Sequence, residues 1–123
     1  MGDWIAARQV RGEEASAPGR LHGVRGGNGW FPALVPGCGR VRGALCALRL
    51  TPGELARLDR YEGREYRRLS LPVRTASGRR VSAQVYVWRI ALPRPAPVIS
   101  RGDFLEWLRV SRRKAFSTPR NGA

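Results

Sequence analysis

Three of the chain's nine acidic residues fall inside LDRYEGREYRR, from Leu58 to Arg68. Asp59, Glu62 and Glu65 stand there among arginines and beside Tyr61 and Tyr66. A carboxylate held at such a place can accept a proton in one step of a reaction and return it in the next. The plain alternative is ion pairing on a solvated helix surface. Glu62 precedes Gly63, so it falls where a helix would end. There the backbone carbonyls disfavour a charged carboxylate, whereas Arg60 and Arg64 favour it if they lie close. Asp59 reads as a structural acid bonded to the turn, and Glu65 as an exposed one.

Other catalytic constellations are poorly supplied. The only histidine is His22, which reads as a strand surface residue, and no Ser/His/Asp or Cys/His arrangement is visible. Cys38 and Cys46 are too few for a zinc site, which needs four ligands or three and a water. They are also too few for a disulfide framework. The sequence therefore predicts neither a metal nor a cofactor.

The elements that position Glu62 are readable from the pattern. TPGE (Thr51 to Glu54) is a capping box with proline at the first helical position. Leu55, Leu58 and Tyr61 follow at helical spacing, which predicts a helix over 52–62. After it, YRRLSLPVRT (66–75) and RRVSAQVYVWRI (79–90) alternate with period two around an ASG turn, which predicts a β-hairpin. Before the helix, residues 17–24 read as a Pro-Gly turn leading into a short possible strand. RGGNGWFPALVPG (25–37) is a glycine-rich turn and an apolar run broken by Pro32 and Pro36, and RVRGALCALRL (40–50) is a further strand. Ser100, with Asp103 three residues on, is expected to cap a final helix carrying Phe104, Leu105 and Leu108. The expected class is α+β, built on antiparallel pairing.

A chain of 123 residues with 42% apolar residues suits one domain with a modest core. The expected division is a single domain over 1–110 and a basic, frayed tail over 111–123. The net charge is +14, and the only lysine is Lys114. Its arginines are spread along the chain, so a solvated basic surface is the simpler reading, and no specific nucleic-acid partner is expected. No apolar run is long enough for a signal peptide or a membrane span, which makes a cytoplasmic setting the default expectation.

Taken in order, several segments are familiar. GWFPALVP, VRGALCAL, LARLDRYEGREYRR, AQVYVW and ISRGDFLEWL resemble successive motifs of the γ-glutamylcyclotransferase-like (AIG2-like) family. The resemblance runs from about Pro18 to Leu108, and the LD..EG turn is its most specific part. It implies a small, strongly bent mixed or antiparallel sheet closing toward a barrel, with flanking helices. It also implies a reaction in which the α-amine of a γ-glutamyl unit attacks its own γ-carbonyl, releasing 5-oxoproline and a free amine or amino acid. The family's catalytic glutamate matches Glu62, and the tyrosine that helps shape the pocket matches Tyr66. Trp30 and Phe31 are candidates for the pocket mouth, with core packing as the alternative.

One departure concerns the start. Members of the family begin with a strand ending in a YGSL-type loop whose N–H groups hold the substrate carboxylate. MGDWIAARQV resembles the segment after that loop. Either Met1 lies inside a longer reading frame or the first strand has been lost, in which case the resemblance extends to a non-catalytic binding protein.

Overall fold

The computed structural model describes residues 12–116. The expected likeness of residues 1–10 to the segment after the YGSL-type loop falls outside the described residues. Among the described residues, four strands and two helices follow in the order β1 (Glu13–Arg25), β2 (Trp30–Leu45), α1 (Pro52–Glu62), β3 (Tyr66–Thr75), β4 (Arg80–Trp88) and α2 (Phe104–Ser111). The strands form one sheet in the order β2-β1-β3-β4, with every neighbouring pair antiparallel. The α+β class and antiparallel pairing are as expected. Among the described residues the sheet is open, not closed into a barrel. β1 meets β3 only at Ala15–Thr75 and Ser16–Arg74, and the edge of β1 beyond is taken by a loop: Gly23 N–H donates to Pro97 O at 2.9 Å and Ile99 N–H to Leu21 O at 2.8 Å.

The two apolar runs expected on either side of Pro36 are one strand, β2. Proline is tolerated because β2 is an edge strand, which has one unpaired side. Near Pro36 the ladder is interrupted: Arg20 is opposite Val35, but Pro18 is opposite Arg40. Such an irregularity lets the strand bend without losing the pairing on either side of it.

Alternation divides the apolar residues between two faces. Leu21, Trp30, Leu34, Val85, Val87 and Ile99 form one core, onto which α2 lays Phe104 and Leu108. The spacing of these two residues, four apart, puts them on one helix stripe, and burying each contributes about 1.5–3 kcal/mol. Val24, Ala33 and Trp88 form a second, smaller cluster with Phe31, Val35, Tyr66 and Leu92.

The ends of the helices follow local chemistry. Thr51 and Glu54 form the reciprocal capping box, with Oγ1 of Thr51 accepting from Glu54 N–H at 3.1 Å and the Glu54 carboxylate accepting from Thr51 N–H at 3.0 Å. The cap of α2 is Asp103, not Ser100; its carboxylate accepts from Glu106 N–H at 3.0 Å. Asp103 wins because it stands directly before the first helical residue, where its oxygen reaches the third N–H of the helix.

Two further expectations are corrected. His22 is buried, not on the surface: Nδ1 donates to Ala96 O at 2.9 Å and Nε2 accepts from Arg20 at 3.0 Å. The stretch expected to fray from Ser111 onward is docked as far as Phe116. Trp30 N–H donates to Lys114 O at 2.8 Å, and Phe116 N–H donates to Trp30 O at 2.7 Å. The Arg113 guanidinium lies 5.0 Å from the Trp30 ring and 4.6 Å from the Trp107 ring, so the aromatic pair also holds the segment through its π-faces.

Candidate functional site

Glu62 is the last residue of α1 and is half-buried. Gly63 stops the helix at φ 96°, a conformation that glycine adopts without the steric cost of a side chain. Its N–H donates to Asp59 O at 3.2 Å, and Tyr66 N–H donates to Gly63 O at 3.3 Å, so the chain turns directly into β3. Arg89 N–H donates to Glu65 O at 2.8 Å and ties the turn to the end of β4. The position of Glu62 is thus fixed from the helix, from β3 and from β4.

No residue of α1 is fully buried, so apolar packing does little to hold the helix over the sheet. A polar anchor supplies this. On β3 and β4, the pairs Tyr66–Trp88, Arg68–Tyr86 and Ser70–Gln84 lie directly opposite and share a face. Asp59, one helical turn before Glu62, meets that face. Its Oδ1 accepts from the Tyr86 hydroxyl and from Arg68 Nε at 2.9 Å, and its Oδ2 accepts from Arg68 Nη2 at 3.4 Å. Arg68 Nη1 donates onward to Gln84 Oε1 at 2.6 Å, and Gln84 Nε2 to Ser70 Oγ at 2.5 Å.

The charges respond to this arrangement. The Tyr86 hydroxyl and then the Arg68 guanidinium hold the Asp59 carboxyl below its ordinary value of 3.8. Burial, followed by the hydrogen bond to Asp59, pushes the Tyr86 phenol well above its ordinary value, and the charge of Glu62 adds to the same shift. Glu62 is therefore within electrostatic reach of the Tyr86 hydroxyl. Asp59 is a structural acid, but its carboxylate accepts from side chains of the hairpin, while its main-chain oxygen accepts from the turn.

These shifts set the sign of a pH effect. A depressed carboxyl stabilises the fold fully above its unfolded value, and the contribution is lost as pH falls through the folded value. Asp59→Asn is expected to cost about 1–2 kcal/mol at neutral pH, allowing for the solvent that reaches the carboxylate. The gap between variant and wild type should narrow below pH 3.8. Glu13, held at about 2 by Ser77 and Arg79, weakens both proteins alike in acid, so the difference isolates Asp59. Urea unfolding across this pH range measures it; a gap that stays constant into acid would show that the ion pair is not its source.

The other candidates separate by face. The Tyr66 hydroxyl donates to Pro32 O at 2.7 Å, and its ring stands edge-on to Trp88 with centroids 5.2 Å apart. Phe31 packs on the same Trp88 at 6.1 Å. Tyr66 and Phe31 thus lie together on the face over which α1 is anchored. Trp30, the neighbour of Phe31 on an alternating strand, points to the opposite face and packs edge-on to Trp107 at 5.4 Å. Trp88 itself is buried, and its indole N–H has no hydrogen-bond partner among the described residues.

Arg68, Tyr86 and Trp88 were not among the residues singled out from the sequence. The available signal was their alternation: once Tyr66 is placed over the sheet, its cross-strand neighbours must share that face. Among the described residues, no group of three His, Cys, Asp or Glu side chains gathers where a metal could bind, and no helix is long and apolar enough to cross a membrane.

Comparison with known proteins agrees with this architecture. The family described as gamma-glutamyl cyclotransferase, AIG2-like, matches residues 2–106. A solution structure of a protein from Arabidopsis thaliana superposes with a TM-score of 0.55 at 24% identity, covering 91% of this chain and 76% of that one, which supports the fold. No curated protein matches the sequence.

Proposed function

Because the chain belongs to the gamma-glutamyl cyclotransferase, AIG2-like family, we propose that it releases 5-oxoproline from small γ-glutamyl amines or γ-glutamyl amino acids, with Glu62 as the general base and acid. The observation that carries this reading is the placement of Glu62: a half-buried carboxylate at a helix end, held over an aromatic sheet face by the Asp59–Arg68–Tyr86 anchor.

The chemistry asks little more of the protein. Nucleophile and electrophile belong to one γ-glutamyl unit, so closing the five-membered ring gains from proximity already present in the substrate. Glu62 takes a proton from the α-ammonium, and the freed amine attacks the γ-carbonyl. The tetrahedral carbon then expels the amine, which receives this proton from Glu62; the second proton lost by the ring nitrogen passes to it by way of Glu62 too, so the lactam is neutral and the amine leaves as an ammonium. One C–N bond forms, one breaks, and the carboxylate is regenerated. No water, metal or redox partner enters the balance. Tyr66 and Phe31 shape the apolar side of the site through their packing on Trp88, and a cytoplasmic setting suits such substrates.

The direct test is release of 5-oxoproline from a panel of γ-glutamyl amino acids and γ-glutamyl amines by the purified full chain. Turnover on at least one member is expected. A folded protein that binds members of the panel and turns none over would establish a non-catalytic binding protein instead.

A further inference from the structure

The end of the hairpin away from Glu62 carries a second, differently charged surface. Ser16 of β1 lies opposite both Arg42 of β2 and Arg74 of β3, and Arg74 lies opposite Arg80 of β4. Directly opposed residues share a face, so register alone lays Arg42, Ser16, Arg74 and Arg80 in a row across all four strands. Arg40, two residues from Arg42, follows on the same side. With Pro72, Val73, Arg74 and Arg80 it lines a groove of about 200 Å³.

Among the described residues, no acidic side chain lines this groove. Glu14 is two residues from Ser16 on the same face of β1, but it is exposed and outside the lining. Opposing Arg74 and Arg80 across a strand pair costs stability, since like charges directly opposite repel. An anion between them reverses the sign of that interaction. Arg40 is already oriented: Nε and Nη2 donate to Ser16 Oγ at 3.2 and 2.9 Å, and Nη2 also donates to Ser16 O at 2.8 Å. Ordering this long side chain is therefore partly done before any ligand arrives.

We propose that this groove binds a compact multivalent oxyanion of the di- or triphosphate class, held by Arg40, Arg74 and Arg80. A guanidinium is a planar fork that pairs with phosphate through two bonds at once. The forks of Arg74 and Arg80, with the Nη1 that Arg40 does not spend on Ser16, call for a ligand that presents several anionic oxygens close together. A phosphate chain does this; a single carboxylate does not. Among the described residues no aromatic ring lines the groove, which leaves it without the stacking platform that single-stranded nucleic acid uses. The site is also distinct from Glu62. Arg74 is six residues along β3 from Arg68, about 20 Å at the rise of a strand.

The test is calorimetric titration of the full chain with inorganic tripolyphosphate at physiological salt. Saturable binding of one tripolyphosphate per chain is expected. Arg74→Gln with Arg80→Gln should weaken it by about tenfold or more, as loss of charge-assisted bonds predicts. This double variant should melt no lower than wild type, because it removes a repulsive pair, so lost binding is not lost folding. Arg109→Gln with Arg112→Gln, an equal charge change at the end of α2, should alter affinity by less than about twofold. Equal weakening by both double variants would assign the binding to the diffuse charge of +14 and overturn the site. So would an absence of saturable binding, or a single-stranded oligonucleotide that outcompetes tripolyphosphate through the same arginines.

Discussion

Glu62→Gln is expected to lower kcat for 5-oxoproline release by about 10²–10⁴-fold and to leave the melting temperature nearly unchanged. The amide has the shape of the carboxylate but cannot exchange a proton, and both halves of the proposed reaction pass through that one group. The fold should tolerate the change because the anchor of α1 to the hairpin runs through the Asp59 carboxylate, which accepts from Arg68 and Tyr86. KM should move much less than kcat, since the lost interaction belongs to the transition state. Asp59→Asn provides the contrast: it loosens the helix that carries Glu62 and so couples a stability loss to any activity loss. Near wild-type turnover by the Glu62→Gln protein would remove Glu62 from the mechanism.

Gly102→Ala is expected to cost about 3–4 kcal/mol, a large part of the stability of a domain this size. Gly102 has φ 67°, in the left-handed region that side chains disfavour. An added Cβ would also run into the carbonyl oxygen of Arg40 and meet the Arg40 carbonyl carbon and Val41 Cα at 3.1 Å each. The neighbour is backbone, so no rotamer change relieves the clash. Gly102 O also accepts from Arg42 N–H at 2.7 Å, and any shift of the loop stretches that bond. Gly43→Ala is the control: nothing lies within 4 Å of its added methyl. Denaturant unfolding of the two variants measures the difference, and a Gly102→Ala protein as stable as the Gly43→Ala one would show that the loop yields without cost.

What could be read from the sequence was local. The helix over Pro52–Glu62 was legible to the residue because its signals, TPGE at one end and Gly63 at the other, act within a single turn. The strands over 66–75 and 80–88 were legible because alternation repeats for ten and nine residues. β2 was read as two pieces because prolines break the pattern, and only strand order reveals that an edge accommodates them. His22 was misplaced because its burial depends on Ala96 and on the pairing of His22 with Val98, seventy-odd residues away. The site shows the same division. Glu62 was singled out by spacing and resemblance, and Tyr66 and Phe31 lie on the sheet face to which Asp59 anchors α1. Trp30 does not, since adjacent residues of a strand face opposite ways. The anchor through Arg68 and Tyr86 depends on which hairpin face meets α1, and no short motif encodes that.

The outer edge of β2 has a consequence for how the molecule is made. At one end it is covered by Lys114 to Phe116 on Trp30, and toward the other by Gly102 on Arg42. Both covers come from the C-terminal part of the chain. During synthesis, β1 and β2 leave the ribosome long before them, and a growing polypeptide therefore displays an unpaired strand edge throughout the production of the hairpin, at the Arg42 end until Gly102 emerges and at the Trp30 end until α2 is complete. Pro32 and Pro36 lie on that edge and make it a poor template for a neighbouring nascent chain. The two prolines thus guard the edge early, and segments that emerge later take over from them.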